Sequence, residues 1–352
     1  MNRHAVVLAL LSAALFGVST PAAKVLLGTI DPATLAGLLY CGAGLGVGVL
    51  RRLSRSLVAR SDAPEVALGR SDIPWLVAAI VSGGILGPVL LMTGLARTEA
   101  ATASLLLTLE GVATAMIAWI IFHENFDRRI AIGMGFLLAG AIVLSWTGTP
   151  TVSNLLGPLA IIGACIAWGL DNNFTRKVSL ADPLQIVELK GLIAGPVNLA
   201  LGVIVGGRLP DLSSTLAAGL VGLLGYGVSL ALFVMALRHL GTARTGAYFS
   251  TAPFLGTIGA VVFLREPVTV QLIAAGVFMA IGVWLHLTES HQHEHEHELT
   301  VHSHPHVHDD HHRHEHGPDD PLGEPHTHRH RHDRLRHTHP HLPDMHHTHR
   351  HN

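Results

Sequence analysis

A long apolar stretch with one acidic residue in its middle constrains this chain most. Residues 102–122 are almost wholly apolar, and Glu110 lies near the centre of that stretch. An α-helix rises about 1.5 Å per residue, so roughly 20 such residues cross a hydrocarbon core of about 30 Å. A carboxylate at that depth is costly and usually has a functional role. The stretch therefore predicts a membrane-spanning helix and marks Glu110 as a candidate functional residue.

Similar apolar runs recur from residue 5 to residue 287, and they are unbroken rather than alternating, which predicts helices rather than strands. Charged residues make up 14% of the chain, against about 25% in a soluble domain, which argues against a soluble enzyme. We predict an all-α membrane protein with ten transmembrane helices in a lipid bilayer. The predicted spans are Ala5–Leu27, Pro32–Leu50, Ile73–Ala96, Ala101–Phe122, Ile130–Thr147, Leu155–Phe174, Pro183–Val205, Leu216–Leu237, Thr242–Phe263 and Val268–Leu287.

The two halves of this apolar region resemble each other. The stretch Leu95–Glu124 has a counterpart in Leu237–Glu266, which begins 142 residues later, and residues 15–38 resemble residues 167–189. Five spans per half is an odd number, so the second half must enter the membrane upside down. Inverted repeats are a recurring transporter plan, with the solute site near mid-membrane between the halves. We therefore predict repeats at residues 1–148 and 149–288, followed by a tail at 289–352.

Four short motifs carry a family resemblance. FGVSTPAAK lies in the first span, DPATLAGL opens the second, FHE closes the fourth and LRE closes the ninth. With this pattern, residues 5–288 resemble the EamA branch of the drug/metabolite transporter superfamily. The resemblance implies ten helices in two inverted five-helix EamA repeats, and secondary transport of small solutes, often outward. The fourth span departs from the pattern, because Glu110-Gly111 stand where the ninth span has Ala252-Pro253.

Polar residues inside the spans are the candidates for binding or coupling. Glu110 is expected either to face a central cavity, where it binds a cation or exchanges a proton, or to stay protonated and bond a neighbouring helix. The adjacent oxygens of residues 171–173 suit a cation or polar solute, or simply end the sixth span. The candidate set is Glu110, Asp171, Asn172, Asn173, Trp168, Glu188, Lys190 and Tyr248.

Two of these candidates, Glu188 and Lys190, are too close in sequence to face each other on a helix. We expect one of them to pair with Asp171 or Glu110 across helices, as a solute contact or as a structural ion pair. Aromatic candidates such as Trp168 and Tyr248 either line the cavity or anchor the membrane interface. Glu124 and Glu266 end matching spans and are expected to be structural, pairing with nearby arginines.

Histidine dominates the tail. Of the 27 histidines, all but His4, His123, His239 and His286 fall within residues 291–351, often at every second position. The interspersed acidic residues and prolines, without apolar periodicity, predict a disordered tail. Imidazole is a common ligand of zinc, nickel and cobalt, so we expect divalent metal binding here, with no tightly bound cofactor. The alternative is a low-complexity extension that happens to chelate. The candidate ligands are His291, His293, His295, His297, His302, His304, His306, His308, His311, His312, His314 and His316.

The distribution of positive charge predicts orientation. The loop 51–72 carries several arginines and lies on the same side as the N-terminus, so the positive-inside rule predicts a multi-pass inner (plasma) membrane protein with both termini cytoplasmic. A nucleic-acid partner is not expected, because this basic loop is small and adjoins the membrane. The arginines of the loop are Arg51, Arg52, Arg55, Arg60 and Arg70.

The function predicted from these features is secondary transport, and export in particular. The sequence has no GxxxxGK[ST] phosphate-binding motif, so direct ATP drive is not expected. The predicted transporter is also not expected to be an enzyme. The tail would gather divalent metal, either as the substrate or as a regulator. The alternative is an exporter of a small organic metabolite or amino acid, with the tail only a metal buffer. A membrane-anchored metal sensor is disfavoured, since one span would suffice. The oligomeric state is not predicted.

Overall fold

The computed structural model describes residues 3–57, 68–122, 128–146, 152–178, 182–240, 245, 248–287, 291–296, 300–306, 326–332 and 336–341. Helices account for the described residues up to Leu287, apart from short turns and connections. The α-helices are α1 Arg3–Leu26, α2 Pro32–Leu57, α3 Ile73–Ala79, α4 Gly87–Ala96, α5 Ala100–Leu106, α6 Leu109–Ile120, α7 Arg128–Ser145, α8 Val152–Lys177, α9 Pro183–Ile204, α10 Leu212–Gly222, α11 Ser229–Leu240, α12 Ala252–Leu264 and α13 Val270–Leu287.

Eight helical stretches among the described residues are long and apolar enough to cross a membrane: His4–Leu26, Pro32–Leu53, Ile73–Ala96, Ala100–Ile120, Arg128–Ser145, Leu155–Thr175, Leu184–Ile204 and Leu212–Phe233. Two further apolar helices, Ala252–Leu264 and Val270–Leu285, are shorter. The predicted ninth span, Thr242–Phe263, begins among residues that lie partly outside the described part of the chain. The protein is therefore a helical, multi-pass membrane protein, as its sequence predicts.

Each half of the chain packs its helices on the corresponding helices of the other half. α2 packs along α9 and α7 along α13, which are equivalent pairs in the predicted repeat. α1 packs on α11 and α12, and its counterpart α8 packs on α4 and α6. The same set of neighbours thus occurs twice, with the roles of the halves exchanged.

Two glycines at equivalent positions of the halves lie where helices from opposite halves pack closely. A Cβ atom on Gly17 would clash with the carbonyl oxygen of Ala252, and one on Gly169 would lie 2.9 Å from the amide nitrogen of Thr114. Backbones can approach this closely only where a side chain is absent, which is how small residues pack membrane helices. Gly17 and Gly169 therefore fix α1 against α12 and α8 against α6.

The third span of each half contains a π-helical segment. These segments are Ile80–Leu86, between α3 and α4, and Leu223–Val228, between α10 and α11. Residues 81–86 correspond to residues 223–228 at the 142-residue offset of the repeat. A π-segment shifts the backbone hydrogen-bond pattern and leaves carbonyl groups available to other donors, and such segments are common at functional sites.

The tail differs from the predicted disorder at four segments. β1 His291–Glu296 pairs antiparallel with β4 Arg336–His341, and β2 Thr300–His306 pairs antiparallel with β3 His326–His332. The alternation of histidine with other residues has the two-residue period of a strand, which the prediction of disorder did not take into account. An isolated two-stranded pair is only marginally stable in water.

Candidate solute-binding site

Glu110 lies where the fourth span is interrupted. α5 ends at Leu106, α6 begins at Leu109, and Thr108 donates its hydroxyl to the carbonyl of Leu105 at 2.8 Å in the turn between them. Glu110 is therefore in the first turn of α6, where the helix dipole favours a negative charge. Interrupted helices whose N-termini point into a cavity are common at transporter solute sites.

The carboxylate of Glu110 is half-buried and bonded to the second half. Asn172 donates its side-chain amide to Glu110 Oε1 at 2.9 Å and to Thr114 Oγ1 at 3.1 Å. The side chain of Asn172 is itself exposed. Space is therefore open beside a carboxylate, an amide and a hydroxyl group.

Asp171 and Lys190 form an ion pair between α8 and α9. Lys190 Nζ lies 2.6 Å from both carboxylate oxygens of Asp171, and Thr175 donates its hydroxyl to Asp171 Oδ1 at 2.9 Å. The two side chains are 16% and 10% exposed, so water screens the pair little. The carboxylate packs directly on the backbone of Gly83 in the first π-segment. Thus Lys190 is the member of the predicted pair that reaches Asp171.

Side chains bind the carbonyl groups that the first π-segment leaves free. Gly83 O accepts a hydrogen bond from the Tyr40 hydroxyl at 2.8 Å and another from Trp168 Nε1 at 3.0 Å. Asn198, which is fully buried, donates its amide to Gly84 O at 2.9 Å. These bonds hold the π-segment against α2, α8 and α9, next to the Asp171 ion pair.

Tyr40, Thr114 and Asn198 were missed as site residues by sequence reasoning. A polar Asn198 in an apolar span was a usable signal. Tyr40 and Thr114 carried none, because their roles depend on which backbone carbonyl or side chain faces them.

An aromatic cluster adjoins the polar groups. The ring of Tyr40 lies 5.8 Å from that of Tyr226, which lies 5.8 Å from Phe16. Phe16 in turn lies 5.4 Å from Phe249. Tyr40 connects this cluster to Trp168, because both side chains donate to the carbonyl of Gly83. Polar groups with aromatic walls are typical of small-molecule sites.

Three candidate residues have other contacts. Glu188 is buried near the predicted cytoplasmic end, and its carboxylate lies 2.9 Å from Arg51 Nη1 and 3.2 Å from Arg52 Nη2. Asn173 donates its amide to Thr114 O at 3.1 Å and to its own helix. Tyr248 is half-buried, and its carbonyl accepts a hydrogen bond from Thr251 at 2.6 Å. The structure therefore brings together Glu110, Asn172, Asp171, Lys190 and Trp168, and leaves Glu188 in a separate ion pair.

The predicted metal ligands are in the tail. His297, His308, His311, His312, His314 and His316 lie outside the described residues, whereas His291, His293, His295, His302, His304 and His306 belong to β1 and β2. Within the part of the chain that the structure describes, no group of three or more His, Cys, Asp or Glu residues could hold a metal ion.

Comparison with known proteins matches both halves to one family. The model of the EamA-like transporter family matches residues 3–146 and again residues 155–288. An uncharacterized transporter of Methanothermobacter thermautotrophicus is 28% identical over 284 residues, which cover 77% of this chain and 82% of that protein. The uncharacterized transporter YvbV of Bacillus subtilis is 24% identical over 299 residues, covering 82% of this chain and 93% of YvbV.

A shorter match and a solved structure agree with these relatives. The uncharacterized inner membrane transporter YedA of Escherichia coli is 25% identical over 160 residues, covering 42% of this chain and 52% of YedA. A crystal structure with a TM-score of 0.58 and 18% sequence identity covers 81% of this chain and 97% of its own. That structure shows that the fold is shared.

Proposed function

Because the chain belongs to the EamA-like transporter family, we propose that it is a secondary exporter that binds a small solute where Glu110 and Asn172 meet. The observation that carries this proposal is the hydrogen bond between Asn172 and Glu110, which joins a half-buried carboxylate of the first half to an exposed amide of the second. A site between inverted repeats can be reached from either side of the membrane as the halves rock. Glu110 would bind or release the coupling proton or cation.

The charges of the site favour a small organic solute with an ammonium group. Glu110, Asp171 and Lys190, when all are ionised, leave one net negative charge. The aromatic rings of Tyr40 and Trp168 lie beside these charges, and an aromatic face attracts a cation. A site of one ammonium, two carboxylates and an amide lacks the several converging ligands that would bind a metal ion tightly. An amine or amino acid therefore fits better than a bare metal ion as the cargo of the helical bundle.

The proposed topology has ten spans in two inverted five-helix repeats. The eight long spans are supplemented by Ala252–Leu264 and Val270–Leu285, the first of which would be completed by residues that precede it. Both termini would be cytoplasmic in the inner membrane, since the arginine-rich loop 51–72 then lies inside. Boundaries at residues 148 and 288 would separate the two repeats and the tail.

The histidine-rich tail supports a second candidate function. Runs such as HQHEHEH place many imidazoles in a short segment, which suits zinc, nickel or cobalt. The tail would then gather metal in the cytoplasm and either deliver it to the carrier as cargo or regulate transport. In the simpler alternative, the tail only buffers metal and the helical bundle exports an organic solute.

Transport by the purified protein tests the proposal and separates these candidates. Proteoliposomes would be assayed for counterflow of radiolabelled amino acids, primary amines, zinc, nickel and cobalt, with the full chain and with residues 289–352 deleted. We expect movement of an ammonium-bearing compound that survives the deletion. Movement of a metal that is lost on deletion would instead support the second candidate. Transport that is the same in Glu110→Gln as in the unchanged protein would contradict the site.

A further inference from the structure

The short connection between α4 and α5 is held from both sides by charged side chains. On the α4 side, Lys24 Nζ donates to the carbonyl oxygens of Leu95 at 2.6 Å and Thr98 at 2.7 Å. On the α5 side, the two carboxylate oxygens of Glu266 accept from the amides of Ala100 and Ala101, both at 2.7 Å. We call these four bonds the Lys24–Glu266 clamp.

Each charge of the clamp lies at a helix end where the helix dipole has the opposite sign. The last carbonyls of a helix and its first amides have no partners within the helix, and the helix dipole makes these ends negative and positive respectively. Lys24 thus supplies a cation to the end of α4, and Glu266 supplies an anion to the beginning of α5. Hydrogen bonds that include an ionised group are shorter and stronger than neutral ones.

The two clamp residues come from opposite halves of the chain. Lys24 lies in the last turn of α1, and Glu266 follows α12 by two residues. Both helices finish at this end of the bundle, where the connection between α4 and α5 also lies. The clamp therefore ties first-half and second-half helices together at a single end.

A close-packed seam lies directly beneath the clamp. Ser104 of α5 is 1% exposed, and a Cβ atom on Gly256 of α12 would lie 2.8 Å from its hydroxyl oxygen. Thr257 donates its hydroxyl to the carbonyl of Ala101 at 3.3 Å across the same seam. α5 and α12 are therefore in direct contact along this seam.

The residue before Glu266 has a strained backbone. Arg265 has φ of 55° and ψ of 35°, in the left-handed region that a residue with a Cβ atom seldom adopts. This conformation ends α12 and turns the chain toward α5, so that the next side chain meets the two amides. Such strain persists only where surrounding contacts hold it, and it is frequent in switching segments.

We propose that the Lys24–Glu266 clamp is a releasable gate that closes this end of the pathway between the halves. On the proposed topology the gate lies on the non-cytoplasmic side and must open for the solute to leave. The direction in which the gate releases the solute rests on the proposed function. The closure itself is a property of the folded chain and can be measured without any solute.

A cysteine placed in the seam reports whether the gate is closed. Ser104→Cys changes one atom and would be made in full-length protein whose own cysteines, Cys41 and Cys165, are replaced by alanine. The rate of its reaction with a water-soluble maleimide is measured in purified protein. We expect Glu266→Gln to raise that rate by at least about tenfold, because the charge and one of two acceptors are lost.

Glu99→Gln is the matched control. Glu99 is an exposed carboxylate of the same connection that also attracts Lys24, but it makes no capping hydrogen bond to α5. Glu99→Gln should leave the maleimide rate unchanged. Lys24→Met should raise the rate, because it removes the two hydrogen bonds to the α4 side of the connection. Thermal unfolding confirms that each variant is folded. An unchanged rate in both Glu266→Gln and Lys24→Met, or an equal rise in Glu99→Gln, would overturn the gate.

Discussion

The ion pair of Asp171 and Lys190 gives a stability prediction that can be worked out from the structure. Lys190 Nζ lies 2.6 Å from Asp171 Oδ2, and the side chains of Lys190 and Asp171 are 16% and 10% exposed, so the pair is largely buried. Removing one partner of such a pair costs about 3–5 kcal/mol, since the other charge stays buried without compensation. Replacing both partners with apolar residues of similar volume is often neutral.

A double-mutant cycle separates the pair from its surroundings. We expect Lys190→Met and Asp171→Leu each to lower the free energy of unfolding by about 3 kcal/mol or more. The combined variant should lose much less than the sum, with a coupling energy of about 3 kcal/mol. Thr175 keeps a hydrogen bond to Asp171 in the first variant, which moderates its loss.

The assay is reversible unfolding of the purified full-length protein in mixed micelles, followed by a spectroscopic probe. Transport by the same variants adds a second reading. If Asp171 contacts the solute, the double variant will be folded but inactive. Additive losses below about 1 kcal/mol for each single variant would refute the reasoning, because that is the behaviour of an exposed pair.

Two further predictions concern backbone positions. Gly17→Ala should lower thermal stability markedly, because its Cβ would clash with the Ala252 carbonyl oxygen. Gly111→Ala should be tolerated, because its Cβ would have no atom of the described residues within 4 Å. Arg265→Gly should keep the left-handed turn and stay within about 1 kcal/mol of the unchanged protein, whereas Arg265→Val should lose about 1–2 kcal/mol more. Equal melting temperatures within either pair of variants would count against the corresponding contact or strain.

The membrane spans and the repeat could be predicted because both are visible as patterns along the sequence. An apolar run of about 20 residues has few alternatives to a membrane helix. The repeated segments Leu95–Glu124 and Leu237–Glu266 likewise predicted two repeats, and the family model matches residues 3–146 and 155–288 separately. Glu110 was predicted as a candidate site residue because a carboxylate in such a run is rare, and its role stays a prediction.

The π-segment and the backbone hydrogen bonds of the site could not be predicted from such patterns. A π-segment has the same residue types as an ordinary apolar helix, so the sequence does not predict the π-segment Ile80–Leu86. The hydrogen bonds of Tyr40 and Asn198 to this segment could therefore not be predicted either. Glu266 was expected to pair with a nearby arginine, yet it binds amides that lie more than 160 residues earlier in the chain. Contacts with backbone atoms depend on the packed structure and are invisible in side-chain patterns.

The role of Glu110 is tested most directly by the initial rate of counterflow in proteoliposomes containing the full-length protein, Glu110→Gln or Glu99→Gln. The compound followed is whichever ammonium-bearing member of the panel the unchanged protein moves. A carrier that works through Glu110 predicts loss of transport in Glu110→Gln, with unaltered thermal unfolding, and an unchanged rate in Glu99→Gln. Full transport by correctly folded Glu110→Gln would contradict it.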